Sequence, residues 1–130
     1  MAFNLDEKYL FEAEELLKAK LPLEYKNTIL KNNGGEIEVD DEIWELYPIF
    51  DKADRKRISR TCNHIISETK SCKEFGNFSS DYLAIAGNGC GDQMVLIKET
   101  NSYLSAVHIW SHETGSVLKV ADNFGELTGL

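Results

Sequence analysis

The sequence predicts an α+β fold: a bent, mostly antiparallel sheet with an N-terminal helix pair, a middle helix and a short C-terminal helix packed against it. Two observations predict it. Apolar residues recur at steps of three and four near the N-terminus and again between residues 55 and 75, and from residue 82 onward they gather in short β-rich runs separated by turn residues. At 130 residues, 42% of them hydrophobic, the chain matches the size of one domain and can bury a core without disulfide or metal staples. A single domain over residues 1–130 is expected.

Asn4 followed three residues later by Glu7 reads as a capping box that opens a first helix. Tyr9, Leu10, Ala13, Leu16 and Leu17 then share one face, while Glu7, Glu14, Glu15 and Lys18 point elsewhere. Pro22 fits the first turn of a second helix, where its missing N–H has no partner to lose, and Tyr25, Ile29 and Leu30 continue the stripe. Asn33, Gly34 and Gly35 stop it: Asn33 or Gly34 can take the left-handed C-cap geometry, and Gly35 turns the chain into a strand where Ile37 and Val39 alternate with Glu36 and Glu38. From 40 to 50 the chain reads as a short helix or turn and then a loop, because Pro48 interrupts any helix.

Ile58, Cys62, Ile65, Ile66 and Thr69 share one face of a third helix, with Arg55, Lys56, Arg57 and Glu68 mostly off it, and GNFSSD marks its end near Phe75 and Gly76. Tyr82 to Ala86, Met94 to Ile97, Ala106 to Trp110 and Val117 to Val120 read as strands of an antiparallel meander. MVLI is apolar on both faces, which suits the centre of a sheet covered on both sides. Asn123 and Glu126 cap a last short helix through Phe124 and Leu127.

Charge narrows the partners. With 22 acidic and 14 basic residues the net charge is −8, which opposes binding to phosphate backbones and anionic lipid and favours a basic protein partner. Neither direct nucleic-acid nor membrane binding is expected, and no apolar run approaches the ~18 residues of a membrane span. MAFNLDEKYL lacks the cationic and apolar regions of a secretory signal, Ala2 stands where myristoylation needs glycine, and Cys62, Cys72 and Cys90 form no C-x-x-C pair. A cytoplasmic location follows as the expectation.

The most informative local feature is acidic. Glu36, Glu38, Asp40, Asp41, Glu42 and Glu45 place six carboxylates in ten residues with no basic residue among them, interleaved with Val39, Ile43, Trp44 and Tyr47. As a partner surface this is a lip that mimics phosphate, Trp44 and Tyr47 supplying desolvated anchors. The plainer reading is a solvated acidic edge with Trp44 and Tyr47 in the core.

GNGCGD at 87–92 follows a strand but matches neither phosphate-loop pattern, so Gly87, Gly89 and Gly91 read as turn residues needing positive φ, and Asp92 as bonding to its own turn. No catalytic residue, metal set or cofactor motif is assigned, since neither Cys62 with His64 nor His108 with His112 completes a zinc spacing. Cys90 with His108 or His112 as base stays open as an enzymatic rival, because such partners meet in space. Lys52, Arg55, Lys56, Arg57 and Arg60 form a basic cluster that either clamps an acidic group or is the polar face of its helix.

LPLEYKNTILKNNGG, YLAIAGNGCGDQMVLI, VHIWSHETG and VADNFGELTGL, in that order, resemble the SUKH superfamily, which includes the yeast cell-wall-assembly regulators and many bacterial immunity proteins. The Leu21-Pro22 opening, the Asn33-Gly34-Gly35 stop, the Gly91-Asp92 turn and the Phe124 helix carry the resemblance most specifically. Lys18, Ala19 and Lys20 replace a glycine often found before the Leu-Pro pair, and the final helix stops early, at Leu130.

The resemblance implies a strongly bent sheet with helices at one side and a binding role without catalysis. The expected function is that of an immunity protein which blocks the active site of a cognate polymorphic toxin, a nuclease or other nucleic-acid-directed enzyme, acting as a monomer or weak dimer. A regulatory protein-interaction scaffold is the alternative.

Overall fold

The computed structural model describes residues 4–127. Helix α1 spans Glu7–Leu17, and its N-cap is Asp6, which accepts the Lys8 N–H at 3.0 Å, rather than Asn4. Its buried face carries Tyr9, Leu10 and Ala13 as the periodicity predicts, but Leu16 is 68% exposed and Glu14 is buried instead. Glu14 is drawn in by the turn that follows: its Oε2 accepts the Leu21 N–H at 2.7 Å and faces Lys26 Nζ at 3.4 Å, tying α1 to α2, Leu23–Lys31. Lys18 takes the left-handed cap at φ 57°, so the turn keeps a glycine-like geometry at the ~1–2 kcal/mol that a side chain costs there.

Two readings of the middle of the chain are corrected. Residues 40–50, expected as a short helix or turn and then a loop, contain a strand: β1, Glu36–Val39, and β2, Glu42–Leu46, form an antiparallel hairpin. Asp40 and Asp41, at φ 52° and 67°, make its two-residue turn, which needs positive φ at both positions; aspartate tolerates this region better than most side chains. The expected third helix is two, α3 at Arg55–Arg60 and α4 at Ile65–Cys72. The Thr61 hydroxyl turns back to accept the Asp51 N–H at 2.9 Å, the His64 ring caps α4 by accepting the Ser67 N–H, and the Pro48 carbonyl accepts the Ile65 N–H at 2.9 Å. That break leaves Ile58 and Cys62 exposed while Ile65 and Thr69 are buried.

The remaining strands are β3, Tyr82–Gly87; β4, Gln93–Glu99; β5, Ser102–Tyr103; β6, Val107–Trp110; and β7, Val117–Ala121. The sheet is antiparallel in the order β1-β2-β3-β4-β6-β7, with β5 on the end of β4 and register shifts at Ala84/Ala86 and Val107/His108 that accompany its curl. β4 lies in the middle, and in its run MVLI Met94, Val95 and Leu96 are buried on both faces as predicted, with Ile97 half-buried.

One face of β3 and β4 (Leu83, Ile85, Met94, Leu96) packs with α1, α2 and Ile65 of α4. The other face (Ala84, Val95) packs with Cys72, Phe78 and Trp110. Each large side chain fully removed from water contributes ~1.5–3 kcal/mol, so both layers hold the sheet. Phe124 closes the main core edge-on to Tyr25, ring centroids 5.3 Å apart. It stands in a short 3-10 turn, Phe124–Glu126, capped by Asn123; residues 128–130 of the expected last helix lie outside the described residues.

Candidate functional site

The hairpin presents its acids outward. Residues paired across antiparallel strands share a face, so the register Glu36↔Glu45, Glu38↔Ile43 sets Glu36, Glu38, Ile43 and Glu45 on one side, and Ile37↔Trp44, Val39↔Glu42 on the other. Glu36, Glu38, Asp40, Asp41, Glu42 and Glu45 are all exposed, and Ile43 among them is 52% exposed. Trp44, at 1%, and Leu46, at 4%, anchor the hairpin in the core instead. Trp44 therefore lies in the core, as the plainer reading has it, and Ile43, passed over as a site residue, is the apolar side chain exposed among the carboxylates. Its exposure followed from a register that the sequence did not reveal.

Glu36 and Glu45 stand directly opposite each other, a like-charge pairing that disfavours the hairpin. Among the described residues the ion pairs engage Glu12, Glu14, Asp51, Asp54, Asp92 and Asp122, and none of the six hairpin carboxylates. At the base of the hairpin, Gly34, Gly35, Glu36, Glu45, Arg60 and Asn63 line an open concavity of about 600 Å³. Asn33 holds its floor: its amide donates to the Ile49 carbonyl and accepts the Ile49 N–H, both at 2.8 Å. Gly34 and Gly35 carry the positive φ (108° and 89°), so Asn33 serves as this clamp and not as the left-handed cap.

Tyr47 is half-buried, and burial together with Glu68 and Cys72 pushes its hydroxyl up to about 12. It stays neutral and donates to Gln93 Oε1 at 2.8 Å. Gly87 lies beneath that ring, where an added Cβ would collide with the hydroxyl, so Gly87 is required for space and not for positive φ. Gly89 and Gly91 do have positive φ, 82° and 105°.

Asp92 does not accept a backbone N–H of its own turn. The Asx contact there belongs to Asn88, whose Oδ1 accepts the Cys90 N–H at 2.9 Å. Asp92 Oδ1 accepts the His112 N–H at 3.1 Å and meets His112 Nδ1 at 2.7 Å, joining the β3–β4 turn to the β6–β7 turn. An ionised carboxylate only accepts, so Nδ1 carries the proton.

Burial alone would raise the Asp92 pKa, but the His112 ring and backbone hydrogen bonds, with the charge of the ring, hold it below the ordinary value. Since the folded-state value is lowered, this contribution to stability is present above the unfolded carboxylate pKa of ~3.9 and is lost as pH falls through the lowered one. Denaturant midpoints of wild type and Asp92→Asn should differ near neutrality and converge in acid, once the wild-type carboxylate is protonated. A gap that persists at that acidity would mean the pair adds nothing as a charge.

Cys90 is exposed on its turn and Cys62 is exposed after α3, so neither is the packing residue that a buried cysteine would be. The His112 nitrogen nearest that turn is taken by Asp92. Among the described residues no group of three or more histidine, cysteine, aspartate or glutamate side chains is arranged to hold a metal ion. No helix among them is long and apolar enough to cross a membrane. The basic cluster is divided: Lys52 pairs with Glu12, Arg57 with Asp51 and Asp54, and Arg60 reaches the rim of the concavity.

The chain's similarity to known proteins agrees with this architecture. The family model described as SMI1 / KNR4 family (SUKH-1) matches residues 4–128. No curated protein matches the chain.

Proposed function

We propose, starting from the fact that this chain belongs to the SMI1 / KNR4 family (SUKH-1), that it is an immunity protein which neutralises a basic toxin by covering its active site with the acidic hairpin. Family membership is consistent with an immunity-type protein, and the hairpin supplies the physical reason for this one's choice of target. The observation that carries the reading is the exposed outer face of Glu36, Glu38 and Glu45 around Ile43, with Glu36 and Glu45 directly opposed. Opposed carboxylates weaken a hairpin, whereas a cationic groove laid over them would turn that repulsion into attraction. A nuclease or other nucleic-acid-directed toxin has such a groove, since it must bind phosphate. Ile43 is placed to be desolvated at the centre of the contact, where single residues contribute most. Occlusion asks for no catalysis by the chain itself.

The test uses the toxin encoded by the adjacent reading frame. Its association rate with this protein should fall as salt rises from about 0.05 to 0.5 M, because the Debye length shortens from roughly 14 to 4 Å. Glu38→Lys with Glu45→Lys should slow association by about tenfold or more at low salt and remove most of the salt dependence. Unfolding midpoints of the variant establish that the fold is kept. An association rate indifferent to both salt and charge reversal overturns the proposal.

A further inference from the structure

We propose that the outer edge of β1 receives an extended, basic segment of the partner as an added strand, with the main-chain groups of Glu36 and Glu38 as its hydrogen-bonding rungs. The inference rests on the reading that the acidic hairpin is the partner surface, and it specifies how that surface is used.

β1 ends the sheet order and is paired on one side only, with β2. In a hairpin closed by a two-residue turn the flanking residues, here Val39 and Glu42, exchange both hydrogen bonds, and bonded and non-bonded pairs alternate from there. Ile37↔Trp44 is then bonded, and the Leu46 N–H donating to the Gly35 carbonyl at 2.8 Å continues the series. Glu36 and Glu38 fall on the non-bonded positions, so their N–H and C=O groups point away from β2. Among the described residues no backbone hydrogen bond outside the hairpin engages them. Unpaired edge groups of this kind are a template for strand addition.

The side chains decide which strand fits. An added strand alternates its side chains as β1 does, so one set lies beside Glu36 and Glu38 and the other beside the half-buried Ile37 and Val39. A segment alternating basic and apolar residues satisfies both, whereas a second copy of β1 would set carboxylate against carboxylate. Protecting the edge from aggregation would need no more than charges on β1. Glu45 lies on β2, inside the sheet, and adds repulsion against Glu36 without guarding any edge. At the Glu36 end the edge runs into the concavity beside Gly34 and Gly35, which leaves room for a side chain at the end of the segment.

The probe is a blocked octapeptide alternating lysine and valine, titrated into the full chain and followed by backbone amide NMR. Two further versions carry N-methyl groups on the lysine amides or on the valine amides. A strand bonds its neighbour through every second residue, so one methylated version should lose about tenfold in affinity and the other little. The Glu36 and Glu38 amides should shift and gain protection from exchange.

Glu38→Pro, which removes an outward N–H, should bind about five- to tenfold more weakly than Glu38→Gln, which removes only the charge. Absence of binding, amide shifts centred elsewhere, or equal binding by both methylated peptides overturns strand addition. Equal binding by both methylated peptides with weakened binding by Glu38→Gln removes strand addition alone and keeps the acidic partner surface. Binding indifferent to Glu38→Gln and to salt removes the surface as well.

Discussion

Replacing Asn33 with alanine is expected to lower the unfolding free energy by about 2–4 kcal/mol, a large share of the stability of a domain this size. The side chain is buried and bonds both main-chain groups of Ile49, itself buried. Alanine leaves an N–H and a C=O unsatisfied away from water, each costing ~1–3 kcal/mol, with some relief if water enters. Asn33→Asp separates the two bonds. One carboxylate oxygen still accepts the Ile49 N–H, but the other then confronts the Ile49 carbonyl, so this variant should be no more stable than alanine at neutral pH and should recover on acidification. Denaturant midpoints at unchanged m-value measure both. A loss below about 1 kcal/mol for Asn33→Ala would show that the clamp is dispensable, and with it the rigid floor assigned to the base of the hairpin.

Asp51→Ala is expected to cost about 2–3 kcal/mol, with the damage centred on the segment before α3. Asp51 is 0% exposed; its Oδ1 accepts the Ala53 N–H at 2.9 Å and its Oδ2 pairs with Arg57 Nη1 at 3.3 Å. Removing one partner of a fully buried pair costs ~3–5 kcal/mol, but the Arg57 side chain is 30% exposed and its charge can find water, which reduces the figure. The Thr61 hydroxyl still accepts the N–H of residue 51 and donates to the Arg57 carbonyl at 2.7 Å, so the backbone return should survive. Hydrogen exchange should therefore quicken at Ala53 while α4 stays protected. An α4 that opens together with Ala53 would make the carboxylate, and not the threonine, the joint of this region.

The long periodic segments were legible from the sequence because burial repeats with the geometry of the element. Tyr9, Leu10 and Ala13 on α1, Tyr25 and Ile29 on α2, and the two-sided burial of β4 follow directly from spacing. Short-range chemistry misled where two options compete locally. Asp40-Asp41 lacks the glycine that usually marks a type I′ turn, so a hairpin looked like a loop. Ile58 and Cys62 continue the spacing of Ile65 and Thr69 across a break made by Asp51, Thr61 and His64, contacts that spacing does not encode.

The candidate site divides along the same line. Composition was enough to identify six carboxylates within ten residues and a net charge of −8, and family-specific strings pointed to the SUKH class, because covalent neighbours and total charge do not depend on folding. Pairing and burial assigned the rest: Glu36 against Glu45, Ile43 to the surface, Trp44 to the core, Asp92 to His112. Each of these depends on which strand lies beside which and in what register. A shift of one residue would carry every side chain of β2 to the opposite face, and the choice among registers is made by the packing of Trp44 and Leu46 beneath the sheet.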